Sequence, residues 1–304
     1  MSRLKFSIVI AVAPYRNAEV LKSLDKVNYP KSKYEVIVKR GLNPSENRNN
    51  GAKEAKGEII GFIDDDAIVS ADLLKNVERF FAAHKDADIV GGPQLTPLDE
   101  KGLAKISGYA LSSKFGAWKT SRRYYGTKTV LDADETMLTS ANLFCRKNVL
   151  KKVLFDLSLF PGEDPKFISD AKKSGLAVSY SPEITVYHRR RANIFGLMKQ
   201  IYSYGMTRVK KESLKETLKM PFFFIPSIFI LYILLLILFS ILSGLDLILF
   251  SPLLAYMIIS LIESLSIAIS KKDIAAFFVL PFIFLAIHLS YGTGFMISLI
   301  KKCM

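Results

Sequence analysis

The sequence predicts an α/β domain with a mostly parallel sheet, then a basic amphipathic linker, then three membrane-spanning helices. Two observations carry this reading. The first 65 residues alternate short apolar runs with helical stretches. Beyond Met220 the chain becomes almost continuously apolar, with Asp246, Glu263, Lys271, Lys272, Asp273, Lys301 and Lys302 as its only charges from Phe222 onward. Strand–helix–strand alternation builds parallel sheets with crossover helices, and apolar runs of about 20 residues cross the ~30 Å hydrocarbon layer.

Taken in order, Phe6 to Ala13 is an unbroken apolar run after Arg3 and Lys5. It imitates a secretory signal ending in Ala11-Val12-Ala13, but it is short, and Pro14 would follow the cut. It reads as a buried first strand. Ala18 to Lys26 reads as helix and Tyr34 to Val38 as a β-branched strand. Ser45 to Ala55 is helical again, and Glu58 to Ile63 is the third strand. That strand ends in Asp64-Asp65-Asp66, and folds of this class bind ligands at the carboxyl ends of their strands. Alternate side chains of an extended segment share a face, so Asp64 and Asp66 point the same way. Two adjacent carboxylates repel unless one is protonated or a cation lies between them. Oxygen ligands suit Mg²⁺ or Mn²⁺. Taken alone, such an acidic triplet is also what a polar loop or a helix cap looks like.

The 304 residues carry a formal charge of +14, mostly before Met220. From Arg189 to Lys219 an apolar stripe, Ile194, Leu197, Met198 and Ile201, lies between basic residues. Before a spanning helix this reads as an interfacial helix on an anionic leaflet, against the alternative of an amphipathic helix packed on the domain. The membrane accounts for the positive charge, and no nucleic-acid partner is expected. Two cysteines, Cys145 and Cys303, exclude a disulfide framework and a cysteine-rich zinc site. The domain boundaries expected are 1–190, 191–220 and 221–304, with spans near 221–243, 245–270 and 274–300. The link at Gly244 to Asp246 has no basic residue, whereas the next has Lys271-Lys272. By the positive-inside rule the second link and the large basic domain are cytoplasmic, and Lys301-Lys302 falls outside. Glu263 and His288 sit at membrane depth, where ionisable groups are costly.

Further motifs follow the aspartates in order. They are IVGGP (89–93), LTSANLFCRKNVLKKV (138–153), LFDLSLFPGEDPKF (154–167) with Glu163-Asp164, and PEITVYHRRR (182–191) with His188. Together with FSIVIAV, the turn PYRN and NPSENRNNGAKEAKGEIIGFIDDD, they resemble the family 2 glycosyltransferases. These are inverting enzymes with the Rossmann-like nucleotide-sugar fold called GT-A, and the likeness covers about residues 6 to 210. The resemblance implies a divalent cation, Mn²⁺ or Mg²⁺, held by Asp66, Asp64 and His188. It implies Asp164 as general base with Glu163 in support. Asp64, Asp65, Arg48, Asn49, Ala11 and Tyr15 would lie along the nucleotide sugar. Arg189, Arg190, Arg191, Arg122 and Arg123 would meet the acceptor or a lipid phosphate.

The pattern also departs from the family. Lys39-Arg40-Gly41-Leu42 stands where an acidic base-reading segment is usual, which leaves UDP without that contact. No arginine follows the Glu-Asp pair in PKFISDAKKSG, and the Gln-x-x-Arg-Trp motif of processive synthases is missing. Transfer of a single sugar is therefore expected. A phosphate nucleophile is already an anion and needs no base, so the Glu-Asp pair favours a hydroxyl acceptor on a lipid-linked glycan or glycolipid. The alternatives are a polyprenyl-phosphate sugar synthase and a non-catalytic membrane scaffold that keeps the fold.

Overall fold

The computed structural model describes residues 4–244 and 247–304. Arg3, Leu245 and Asp246 lie outside the described residues. In chain order the first elements are β1 (Phe6–Val12), α1 (Leu21–Leu24), β2 (Tyr34–Arg40), α2 (Pro44–Glu54) and β3 (Ile59–Asp64). Then come β4 (Ala67–Val69), α3 (Leu73–Ala83), β5 (Ile89–Gly91), β6 (Gln94–Leu95), α4 (Gly102–Ser112) and α5 (Lys114–Ala117). They are followed by β7 (Asn142–Arg146), α6 (Glu163–Lys173), β8 (Val178–Tyr180) and β9 (Val186–His188). The chain continues through α7 (Ile194–Lys210), α8 (Leu214–Leu218), α9 (Ile225–Ser243), α10 (Leu247–Lys271) and α11 (Ile274–Cys303). Residues up to Asp99 and from Lys119 to Arg189 form one compact unit, and Glu100–Trp118 with Arg190–Met304 form a second.

The first unit is a mixed, mostly parallel sheet of order β2-β1-β3-β7-β5-β8. β1 lies between β2 and β3, parallel to both, and this explains its unbroken apolar run, since both faces are covered. β7 is antiparallel to β3 and β5. Gly61, inside β3, is required by packing: a Cβ there would sit 2.5 Å from the Phe144 ring. A second, three-stranded sheet, β4-β9-β6, stands at the end of β3. α2 is started by Asn43, whose side chain accepts from the Ser45 and Glu46 amides, with Pro44 in the first turn. It lies so close to β1 that a Cβ on Gly51 would meet Val9 at 2.4 Å. The helix expected over Ala18 to Lys26 shortens to α1. The Val20 amide is taken by the Asp65 carbonyl, and the Lys26 and Val27 amides close three-residue turns onto Ser23 and Leu24.

The second unit contains three helices long and apolar enough to cross a membrane, Pro221–Leu242, Leu247–Lys271 and Ile274–Cys303. α9 exposes many apolar side chains, among them Ile228, Leu231, Leu235 and Ile241, and buries Ile230 and Leu236. α11 buries one side, with Leu280, Phe284 and Phe295 covered, and exposes Phe278 and Phe282. A Cβ on Gly205 of α7 would lie 2.3 Å from the Tyr291 carbonyl, and one on Gly294 would lie 2.2 Å from the Tyr202 carbonyl. Such close backbone approach is the way small residues join apolar helices. The apolar face of α7, with Leu197 and Ile201 buried, is therefore used in packing within this unit. His288 has a structural place. Its Nε2 lies 2.9 Å from the Phe115 carbonyl and its Nδ1 2.9 Å from the Tyr256 hydroxyl, so it ties α11 to α5 and α10. Glu263 is partly buried on α10.

Candidate active site

The carboxyl end of β3 delivers Asp64, and the chain reverses through Asp65 and Asp66 into β4. β4 pairs antiparallel with β9, setting Ala67 opposite His188. That pairing brings a histidine 122 positions away in sequence onto the acidic turn. His188 Nε2 lies 3.0 Å from Asp66 Oδ1 and 4.0 Å from Asp64 Oδ2. The ligand atoms of Asp64, Asp66 and His188 all lie within 4.8 Å of one another. Two carboxylate oxygens and one imidazole nitrogen at these spacings fit a divalent cation.

α2 supplies the second part of the site. Arg48 is buried, and its guanidinium reaches three carboxylates from two other elements. Nη1 donates to Glu163 Oε1 at 2.9 Å, Nη2 donates to Asp64 Oδ1 at 3.1 Å, and Asp164 Oδ1 is 3.7 Å from Nη1. Glu163 and Asp164 occupy the first turn of α6, where the helix dipole favours negative charge. Ser140, just before β7, donates to Asp164 Oδ1 at 2.6 Å. The contacts of Asp164 with Ser140 and Arg48 both fall on Oδ1. Burial and the neighbouring Asp164 charge push the Glu163 carboxyl up to about 7, against the opposing pull of Arg48. Burial also raises Asp64, with Arg48 opposing. Burial would raise Asp66 too, but the hydrogen bonds and charges of His188 and Arg16 hold it below the usual carboxylate range.

The expected residues divide into two sets. Asp64, Asp66, His188, Arg48, Glu163 and Asp164 converge. Ala11 is next to Asp64 by strand register. Asp65 is not part of the metal-spaced group, but it shares Arg16 with Asp66. It is buried and raised to about 6, first by desolvation, and its nearest cation is Arg16 at 3.2 Å. Asn49 is occupied elsewhere: both ends of its amide bind the Phe155 backbone, at 2.8 Å and 3.0 Å, and this fixes the segment leading to Glu163. Tyr15 is 82% exposed on the turn after β1. Arg123 folds onto the carbonyls of Glu135 and Thr136, and Arg122 onto the Met137 sulfur. Arg189 pairs with Asp99 at 2.8 Å. The Arg190 amide meets the Glu100 carboxylate at 3.3 Å, and Arg191 is exposed.

Two participants escaped sequence reasoning. Arg16 places Nη2 2.6 Å from Asp66 Oδ2, and Arg40 holds the Arg16 carbonyl at 2.8 Å. The basic Lys39-Arg40 segment thus supports the turn that faces the aspartates. Ser140 gave no signal beyond its place in LTSANLFCR, because its partner is distant in sequence.

The chain matches the family Glycosyltransferase like family 2 over residues 2–203. It is 33% identical over 138 residues to the minor teichoic acid biosynthesis protein GgaB of Bacillus subtilis (strain 168), covering 42% of this chain and 14% of that protein. It is 26% identical over 215 residues to a poly(ribitol-phosphate) beta-glucosyltransferase of Bacillus spizizenii (strain ATCC 23059 / NRRL B-14472 / W23), covering 65% of this chain and 31% of that protein. The chain thus spans less than a third of the length of either relative. Among solved structures, the mannosyltransferase PcManGT from Pyrobaculum calidifontis, in complex with GDP-Man and Mn²⁺, superposes with a TM-score of 0.56. The identity is 13%, over 99% of this chain and 89% of that one, a likeness of fold. A GT-A-type α/β unit, an Asp-x-Asp strand end and a matching family over two thirds of the chain agree, and the protein belongs to glycosyltransferase-like family 2.

Proposed function

We propose that the protein is a metal-dependent, inverting glycosyltransferase. It moves one sugar from a nucleotide-sugar donor to a hydroxyl of a lipid-linked glycan or glycolipid at the cytoplasmic face. Residues 1–190 form the catalytic domain, 191–220 an interfacial segment, and 221–304 the anchor. The observation that carries the reading is the convergence of the Asp64–Asp66–His188 cluster with Asp164 through one buried arginine.

Asp64, Asp66 and His188 hold the cation, which when bound offsets the negative charge growing on the departing diphosphate. Asp164 accepts the proton of the attacking hydroxyl as the new glycosidic bond forms and the sugar–phosphate bond breaks. Ser140 and Arg48 fix that carboxylate through Oδ1. Glu163 orients Arg48 and shares its charge. One base and a single displacement invert the anomeric centre. Ala11, beside Asp64, leaves room for the nucleotide, and Tyr15 and Arg16 lie on the turn that faces it. Arg189, Arg190 and Arg191 follow His188 directly and are positioned for the acceptor or its lipid phosphate, with Arg122 and Arg123 as further contacts.

The test is binding of UDP and GDP to the detergent-purified protein with and without Mn²⁺, beside Asp66→Ala. The expected result is one nucleotide bound only with metal and lost in the variant. Binding of neither nucleotide, or metal-independent binding unchanged by Asp66→Ala, removes the donor site and leaves the scaffold alternative.

A further inference from the structure

We infer that Arg16 makes the metal and the nucleotide bind as a pair. Its positive charge, set against Asp66, opposes a divalent cation arriving alone and favours the same cation once a diphosphate accompanies it. This role rests on the metal-dependent reading above and gives that site a residue that couples its two ligands.

The side chain is delivered from a fixed turn. Ala13, Pro14, Tyr15 and Arg16 follow β1, and the Arg16 amide donates to the Ala13 carbonyl at 3.0 Å. That closes a four-residue turn with proline in its second position, where the fixed φ of proline is suited. The Arg16 carbonyl accepts from Arg40 Nη1 at 2.8 Å. Arg40 ends β2, and strand register sets it beside Val12. Both backbone polar groups of Arg16 are therefore taken, and its guanidinium is the part left to reach the acidic turn. Arg40 stands where an acidic base-reading segment is usual, and here it anchors Arg16.

The charges around the cluster fall into two groups. Asp66 Oδ1 lies 3.0 Å from His188 Nε2, and Asp64 Oδ2 lies 4.0 Å from it. These oxygens are turned toward the imidazole. The other oxygen of each carboxylate carries an arginine. Asp64 Oδ1 accepts from Arg48 Nη2 at 3.1 Å, and Asp66 Oδ2 accepts from Arg16 Nη2 at 2.6 Å. The two arginines differ in setting. Arg48 is buried, and its charge is divided among Asp64, Glu163 and Asp164. The Arg16 side chain is 44% exposed and serves Asp65, at 3.2 Å, and Asp66. Arg48 belongs to the interior, whereas Arg16 stands where an anion from solvent can reach it.

A divalent cation and a guanidinium that share one carboxylate repel each other. In a partly solvated site such a repulsion changes affinity on the order of tenfold. That penalty falls on the metal alone. A nucleoside diphosphate carries more negative charge than a divalent cation offsets. Arg16 therefore disfavours the metal by itself and favours the metal with its diphosphate, which is a coupling free energy between the two ligands.

Manganese titrations of the detergent-purified full chain test this, with free Mn²⁺ read from its electron paramagnetic resonance signal. Wild type, Arg16→Gln and Arg16→Lys are each titrated without nucleotide, with UDP and with GDP, beside protein-free blanks. Asp66→Ala marks the manganese held elsewhere. Without nucleotide, Arg16→Gln is expected to bind Mn²⁺ about tenfold more tightly than wild type. The further gain that a nucleotide gives should shrink by about the same factor, and Arg16→Lys, which keeps the charge, should stay close to wild type. A residue that only shaped the turn would weaken metal binding, or leave it alone, when replaced. Equal or weaker Mn²⁺ binding by Arg16→Gln without nucleotide therefore overturns the inference, undetectable binding by both proteins included. So does an equal nucleotide-induced gain in wild type and Arg16→Gln, or an Arg16→Lys variant that binds as tightly as Arg16→Gln. If wild type binds Mn²⁺ with a nucleotide in any of these cases, the coupling role fails alone. If wild type binds Mn²⁺ under no condition, the metal-dependent reading fails with it.

Discussion

Replacing Arg48 by alanine removes the single cation that three carboxylates share. At an effective dielectric of about 20, a unit pair at the 2.9 Å of Glu163 or the 3.1 Å of Asp64 attracts by about 5–6 kcal/mol, and the 3.7 Å pair with Asp164 by about 4–5. Desolvation of the ions offsets most of this sum. The relevant quantity is what remains when one partner leaves: breaking a buried pair costs about 3–5 kcal/mol, because the other charges stay buried without compensation. Against a typical domain stability of about 5–15 kcal/mol, that loss is large but survivable. The deficit has a definite pH dependence. Without Arg48 the carboxyls bind protons more tightly in the folded state than in the unfolded one. The variant should therefore be least stable at high pH and recover toward wild type as the pH falls and the carboxyls are neutralised. Urea denaturation of the detergent-solubilised protein at pH 8 and pH 5, followed by far-ultraviolet circular dichroism, measures both values. A variant within about 1 kcal/mol of wild type at pH 8, as for an exposed ion pair, refutes the argument. A deficit equal at both pH values does so as well.

Other consequences are open to the same kind of measurement. Glu163→Gln keeps the shape but removes a carboxyl raised from 4.5 to about 7 by burial first and Asp164 second. Its raised folded value means that the wild type loses stability as pH rises from 4.5 toward 7. The glutamine variant should show a flatter profile, gaining on the wild type as the pH rises from 5 to 8. Unfolding at pH 5 and pH 8 checks it. Asp164→Asn should lower kcat about 10²–10⁴-fold while leaving nucleotide affinity nearly unchanged, because only the proton acceptor is lost; initial rates beside a nucleotide titration separate the two. Gly294→Val sets a Cβ 2.2 Å from the Tyr202 carbonyl, a backbone atom that cannot rotate away. It should destabilise the α7–α11 pair by about 1–3 kcal/mol in a thermal melt without altering nucleotide binding.

Local sequence was enough to determine the type of each part. The apolar run of β1 meant a strand covered on both faces, the Asp-x-Asp marked the end of β3, and the tail after Met220 meant three helices long and apolar enough to cross a membrane. These follow from side-chain periodicity and hydropathy, which act over a few residues. Partnerships between distant segments needed the tertiary structure. The pairing of β4 with β9 put His188 on the aspartates, and α2 and α6 together buried Arg48 among three carboxylates. Nothing in the pattern around Arg16 or Ser140 distinguished them from solvated residues, because their partners Asp66 and Asp164 lie 50 and 24 positions away. Asn49 has the composition of a nucleotide contact, yet a backbone 106 positions away claims its amide. The two ends of α11 show the same division. Its composition set only its length and apolarity, whereas ion pairing with Lys105 and packing against Phe223 and Phe224 decide which segments it joins. Hydrophobicity is a property of a segment, but a charge or a hydrogen bond is satisfied only by a partner, and only the folded chain decides which one arrives.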